Sequence, residues 1–417
     1  MDIRIDPSTL NGTLPSISSK SDVHRLMICA ALSDKPTVIN NVSGCDDILA
    51  TASCIEGLGA KAVFDGRTCT VTPSQNIPEN PCFNCRESGS TLRFMLPVAA
   101  AVCGNAHFAG TGRLPERPIG ELLNAMNANG TLFSSTHLPL DISGSLKAGI
   151  YTLPGNISSQ YITGLLMALS VTKGESTIVL TSPLESASYV KMTLSTLKLF
   201  GANIKEEDSG YRIVGVERLT SPITVQADGD WSNAAFFLTS AAINGKVTLT
   251  GLSMDSPQGD KKIIQALKKF NAHVTIENDA VTVSSGELHG CETDLSDTPD
   301  MLPALAVLAA FAQGETRFVG AARLRLKESD RLKTVADMIN SLGGTASVHE
   351  DGITVWGKPL KGGKADGAND HRIVMAAAIA AAHCTSSVEI FGAQAVNKSY
   401  PSFFEDFEAL GGHSYVI

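Results

Sequence analysis

One pattern returns along this chain at intervals of roughly 70 residues, and it leaves few folds open. A Gly or Asn closes an amphipathic helix, and a strand, a tight turn and a second strand follow. The pattern occurs at residues 57–73 (GLGAKAVFDGRTCTVTP), 127–144, 199–215 (LFGANIKEEDSGYRIVG), 269–285 and 341–357 (SLGGTASVHEDGITVWG). A truncated sixth copy occupies residues 409–417. The helices ahead of these hairpins are apolar on one side only, as in Ile263, Ile264, Leu267 and Phe270 with lysines between them.

Each copy also carries a second kind of helix, apolar all round and rich in small residues, at 92–102, 161–170, 234–243, 302–312 and 373–382. Such a helix has no face for water, so it must be buried against its counterparts. A short β-like run follows each, at 37–40, 106–109, 177–181, 247–250, 316–319 and 387–391. The repeating unit is therefore predicted to be buried helix, strand, amphipathic helix and a two-strand meander. The sixth copy lacks its last strand, and residues 1–6 (MDIRID) alternate as residues 68–73 (TCTVTP) do. The N-terminal segment is thus expected to complete the sixth unit. That makes residues 20–229 one domain of three units and residues 1–19 plus 230–417 the other, with crossings near 14–19 and 227–231.

The polar residues with chemistry to offer lie at the starts of the buried helices. In order they are Lys20-Ser21-Asp22-Val23-His24-Arg25, Ser88-Gly89-Ser90-Thr91-Leu92-Arg93, Ser158-Ser159-Gln160, Asp230-Trp231-Ser232-Asn233, Thr298-Pro299-Asp300 and Asn369-Asp370-His371-Arg372. One Ser or Asp in such a place is best read as an ordinary N-cap. Helix N-termini also carry unpaired N–H groups and partial positive charge, and three in one domain would focus on an anion. The cluster Lys327-Glu328-Ser329-Asp330-Arg331 adds cations and carboxylates together. These features predict a ligand with several negative groups without identifying it.

Composition excludes some partners. With a net charge of −9 the chain is a poor match for nucleic acid, although a cationic cleft can exist in an acidic protein. No apolar run is long enough to span a bilayer, no signal region opens the chain, and a cytoplasmic protein is expected. Nine scattered cysteines fit reduced thiols. Cys82-Phe83-Asn84-Cys85 has neither a second Cys pair nor a suitably spaced His, so no metal site is read. There is no G-x-x-x-x-G-K-[ST] loop, and Gly110-Thr111-Gly112 lacks the third glycine of a dinucleotide fingerprint.

Over nearly its whole length the chain resembles the 3-phosphoshikimate 1-carboxyvinyltransferase (EPSP synthase) family. The resemblance rests on Ser19-Lys20-Ser21 with Arg25, Arg117-Pro118-Ile119-Gly120, Ser158-Ser159-Gln160, Ser186 before Tyr189, Pro299-Asp300, Lys327-Glu328-Ser329-Asp330-Arg331-Leu332, Asn369-Asp370-His371-Arg372 and Lys398. It implies two α/β domains, each of three βαβαββ units with buried parallel helices, an inside-out α/β barrel. It also implies transfer of the enolpyruvyl group of phosphoenolpyruvate to the 5-hydroxyl of shikimate 3-phosphate, in chorismate biosynthesis, by a monomer that needs neither metal nor organic cofactor. Carried over by position, Lys20, Ser21, Arg25, Ser158, Ser159, Gln160, Ser186, Asp300 and Lys327 would bind shikimate 3-phosphate. Lys20, Gly89, Arg117, Gln160, Arg331, Arg372 and Lys398 would hold phosphoenolpyruvate. Asp300, Glu328 and Lys20 would be catalytic, with Asp300 taking the hydroxyl proton and Glu328 or Lys20 handling protons at the methylene carbon.

The chain departs from the family at Glu87-Ser88-Gly89-Ser90-Thr91, where many members read Asn-Ala-Gly-Thr-Ala. It retains Gly89, whose missing side chain leaves room for a ligand or for glyphosate, the family's inhibitor. The related UDP-N-acetylglucosamine enolpyruvyl transferases usually place a reactive Cys before Arg-Pro-Ile-Gly. Residues 110–116 contain none. A regulator that had kept the cleft without catalysis would be expected to lose carboxylates such as Asp300 or Glu328, and both are present.

Overall fold

A computed structural model describes all residues, Met1–Ile417, and divides into two compact units. One is Lys20–Ala227, the inserted unit. The other, the terminal unit, joins Met1–Ser19 to Asp228–Ile417. The second crossing thus falls within the expected 227–231, and the inserted unit ends two residues before the expected 229. Asp228 and Gly229 are anchored inside the terminal unit: the Asp228 carbonyl accepts from Ser19 N at 2.7 Å, and the Gly229 carbonyl accepts from Gln258 Nε2 at 2.7 Å.

Each unit holds three four-stranded sheets around buried helices, the inside-out arrangement. In the inserted unit the buried helices are Lys20–Ala31, Gly89–Val102 and Ser159–Ser170; in the terminal unit they are Trp231–Ile243, Leu302–Ala310 and His371–Ala382. Their small side chains let the axes approach, and Gly164 shows how closely. A Cβ there would lie 2.3 Å from the Arg93 carbonyl oxygen and 2.8 Å from Pro97 Cγ. That contact brings Gln160 up to Arg93.

Every sheet has a strand that reading the residues alone missed: a short first strand, parallel to the one after the buried helix. Cys82–Asn84 beside Ala106–Ala109 and Glu292–Asp294 beside Glu315–Val319 are examples. Three residues are too few to show alternation, so such a strand is defined by its partner. The first and fourth modules borrow theirs from distant chain, Thr224–Gln226 beside Thr37–Asn40 and Leu10–Pro15 beside Gly245–Thr250. The strand Ile3–Asp6 lies between Val388–Phe391 and His413–Val416, antiparallel to both, with Ile3 and Ile5 buried.

Candidate active site

In the inserted unit four side chains named at helix starts act partly as structural groups. Ser88 Oγ accepts from Thr91 N, and Ser158 Oγ accepts from Gln160 N, both at 3.3 Å, so these serines are N-caps. Lys20, the first residue of its helix, pairs through Nζ with Asp47 Oδ2 at 2.6 Å. Arg25, one turn on, is buried; its guanidinium donates to Thr193 Oγ1 at 2.9 Å and to the Tyr189 carbonyl at 3.0 Å, and lies over the Phe94 ring. Burial pulls its pKa down to about 10, against the opposing pull of Asp22, and it keeps its charge at neutral pH.

Gly89 and two arginines bring two guanidiniums to one helix start in this unit. A Cβ at Gly89 would lie 2.5 Å from Arg93 Nη1 and 2.6 Å from Arg117 Nη1, so both guanidiniums approach the helix start only because no side chain is there. Arg93, which the sequence reading did not place in the site, donates to Gln160 Oε1 at 3.2 Å, the Gly89 carbonyl at 3.2 Å and the Pro118 carbonyl at 3.1 Å. Gln160 Nε2 in turn donates to Ser90 Oγ at 2.9 Å. Ser159 and Ser186 are buried, and Ser186 has a left-handed backbone, φ 52°, at the start of Ala187–Leu199. A non-glycine residue held in that conformation is over-determined by its surroundings, as is common at ligand sites.

The terminal unit concentrates charge. Arg331, almost fully buried at the start of Arg331–Ser341, bonds three carboxylates at once. Its Nε and Nη2 donate to the two oxygens of Asp370 at 2.7 and 3.1 Å, Nη1 donates to Asp300 at 2.7 Å, and Nη2 donates to Glu328 at 2.6 Å. Burial alone would lower the arginine's pKa; Asp370, Glu328 and Asp300 outweigh it and raise it further. Asp370 is fully buried, caps His371–Ala382 by accepting from Arg372 N at 3.0 Å, and also accepts from Ser329 Oγ. Ala368 and Asn369 ahead of it both have left-handed backbones, and the Asn369 carbonyl accepts from Lys398 Nζ at 2.6 Å.

Asp300 is the focus of this cluster. Lys327 Nζ lies 3.2 Å from Oδ1, and Arg372 Nη2 lies 3.8 Å from Oδ2 while its Nη1 donates to the Asp300 carbonyl at 3.2 Å. Burial would raise the carboxyl's pKa, but Lys327, Arg372 and Arg331 hold it well below the usual carboxylate range, against Glu328. A second carboxyl, Asp260, goes the other way: burial and the charge of Asp300 push it up to about 6 despite Arg372 and Ser232. In sequence, Asp260-Lys261-Lys262 reads as an ordinary charged turn ahead of a helix, and only its burial sets Asp260 apart.

The structure therefore gathers Lys20, Ser21 and Arg25 on one buried helix and Gly89, Arg117 and Gln160 around Arg93, all in the inserted unit. It gathers Asp300, Lys327, Glu328, Arg331 and Arg372 in the terminal unit, with Lys398 donating to the turn before Asp370. Arg323, assigned no role from sequence, donates to the Ser296 carbonyl at 2.6 Å.

Comparison with known proteins adds the family. A sequence profile described as EPSP synthase (3-phosphoshikimate 1-carboxyvinyltransferase) matches residues 5–407. The 3-phosphoshikimate 1-carboxyvinyltransferases of Clostridium acetobutylicum and Clostridium novyi are 40% and 39% identical to this chain, each over 98% of it and 97% of the relative. The solved EPSP synthase of Acinetobacter baumannii superposes with a TM-score of 0.84 at 26% identity, covering both chains fully. The enolpyruvyl transferase NikO of Streptomyces tendae shares the fold, with a TM-score of 0.83 at 20% identity. With a family profile matching residues 5–407 and relatives aligned over nearly their whole length, the chain belongs to the EPSP synthase (3-phosphoshikimate 1-carboxyvinyltransferase) family.

Proposed function

We propose that this chain transfers the enolpyruvyl group of phosphoenolpyruvate to the 5-hydroxyl of shikimate 3-phosphate and releases phosphate. The observation that carries the reading is Asp300, an ionised carboxylate ringed by Lys327, Arg331 and Arg372 with Glu328 on the same arginine. In the substrate-free protein that ring makes Asp300 a weak base. Once the cations also engage the phosphate and carboxylate of a substrate, their pull on Asp300 is shared and its basicity rises toward the range in which a general base works. Asp300 then takes the proton of the attacking hydroxyl. Glu328 or Lys20 gives a proton to the methylene carbon of phosphoenolpyruvate, and the hydroxyl oxygen bonds to the adjacent carbon. Loss of phosphate from the resulting tetrahedral intermediate returns the methylene proton and restores the double bond.

Charge development at that carbon is met by preorganised cations. In the inserted unit, Arg25 with Ser21, Ser158, Ser159 and Ser186 is assigned to shikimate 3-phosphate, Gly89 and Arg117 to phosphoenolpyruvate, and Lys20 and Gln160 to both. In the terminal unit, Arg331, Arg372 and Lys398 are assigned to phosphoenolpyruvate and Lys327 to shikimate 3-phosphate. Planar guanidiniums suit carboxylate and phosphate oxygens in pairs. The chain is proposed to work as a cytoplasmic monomer on these two small anions; none of its helices is long and apolar enough to cross a membrane. Phosphate release tests the function: the purified protein should turn over phosphoenolpyruvate with shikimate 3-phosphate and not with UDP-N-acetylglucosamine. Equal turnover with the UDP-sugar would overturn it.

A further inference from the structure

His24 has no part in the proposed reaction, yet it is almost fully buried on the helix that begins with Lys20, and so are three hydroxyls linked to it. Its Nδ1 lies 2.7 Å from Thr51 Oγ1, Thr51 Oγ1 lies 2.7 Å from Thr91 Oγ1, and Thr91 Oγ1 donates to Ser88 Oγ at 2.8 Å. The arrangement is a ladder between two helices. Lys20 and His24 are one turn apart on Lys20–Ala31, Asp47 and Thr51 are one turn apart on Asp46–Gly57, and they pair as Lys20–Asp47 and His24–Thr51. The Asp47 carbonyl also faces Thr91 Oγ1, at 3.5 Å.

The direction of the chain follows from counting protons. Thr91 has one hydroxyl proton, and its bond to Ser88 has the geometry for Thr91 as donor; with that bond made, Thr91 accepts toward Thr51, the direction that satisfies the most hydroxyls. Thr51 therefore donates to Thr91 and must accept from His24, which places the imidazole proton on Nδ1. Nε2 is then a bare acceptor, buried and without a hydrogen-bond partner. A buried orphan acceptor lowers stability, a cost set against the edge-on packing of the ring on Phe94. Burial, with Lys20 and Arg25 close by, keeps the ring neutral and the chain's direction constant.

We infer that His24 is a positioning residue for phosphoenolpyruvate: its Nδ1–H, relayed through Thr51 and Thr91, orients the Ser88 cap and sets the Gly89 turn, with its Arg93 and Arg117, in register with Lys20. The inference rests on the proposed reaction, because it assigns the turn's ligand. The test is steady-state kinetics on the full chain with both substrates varied, alongside thermal melts. His24→Leu and Thr51→Val are expected to raise KM for phosphoenolpyruvate about five- to tenfold, the loss of one oriented hydrogen bond, with KM for shikimate 3-phosphate and kcat changed less than about twofold. His24→Asn, whose amide can donate to Thr51, and Thr51→Ser should restore the wild-type KM. Unchanged KM in the Leu and Val variants overturns the inference alone. So does a parallel rise in both KM values with a lowered melting temperature, which is what a merely structural role would give. Wild-type protein without turnover overturns the inference and the proposed reaction together.

Discussion

Replacing Asp370 separates its three jobs. The carboxylate makes two bonds to Arg331, accepts from Ser329 and caps the helix of Arg372. Asp370→Asn keeps the volume and one acceptor oxygen for the cap and removes the charge. Hydrogen bonds to charged groups contribute about 1.5–3 kcal/mol against about 0.5–1.5 for neutral ones, so two weakened bonds cost about 2–3 kcal/mol. Arg331 keeps Asp300 and Glu328, which holds the loss below that of a charge left wholly unpaired. Asp370→Ala breaks the pair and the cap as well, for about 4–6 kcal/mol. In a unit of some 150–250 residues each kcal/mol shifts the melting temperature by about 2–4 °C, so the expected drops are about 4–12 °C for Asn and about 8–24 °C for Ala. Calorimetry on the full chain reads both, and the two units can melt as separate transitions. Only the transition of the terminal unit should move. Because Arg331 is then less firmly held, KM for phosphoenolpyruvate should rise in both variants. An Asn variant melting within about 1 °C of wild type with unchanged KM would refute the idea that Asp370 anchors Arg331.

Asp300→Asn and Glu328→Gln should each lower kcat by about 10²–10⁴-fold, the range for acid–base groups, while binding of both substrates measured by calorimetry persists; wild-type turnover in either removes that residue from the mechanism. Asp260, with its pKa raised to about 6, binds a proton more tightly folded than unfolded, so the stability it contributes is present below its unfolded value near 3.8 and lost as pH rises through 6. Asp260→Asn should therefore gain on wild type between pH 4 and 7, by up to about 3 kcal/mol in denaturant titrations, and a difference that stays flat with pH counts against the shift. Deleting residues 1–6 strips a central strand and the buried Ile3 and Ile5, worth about 1.5–3 kcal/mol each, and should lower the melting temperature of the terminal unit alone; an unchanged melt would contradict that pairing.

What the amino-acid sequence determined by itself was whatever repeats or is local. Helices without a polar face must be buried, Gly- and Asn-closed helices followed by alternating residues announce the hairpins, and six such copies imply one module built again and again. The cations and carboxylates at helix starts were legible for the same reason, since each motif is contiguous. Tertiary structure decided the rest, because it depends on partners far apart in the chain. The parallel edge strands, such as Thr224–Gln226 beside Thr37–Asn40, carry too few residues to signal themselves. Arg93 stands at a helix start without a role that its sequence assigns, until Gly164 lets Gln160 and Pro118 reach it. Asp260 and Asp300 belong to one residue type in sequence. Three cations around one and burial beside a like charge at the other drive their acidities in opposite directions. Proton affinity depends on what surrounds a group in space, and only folding supplies those surroundings.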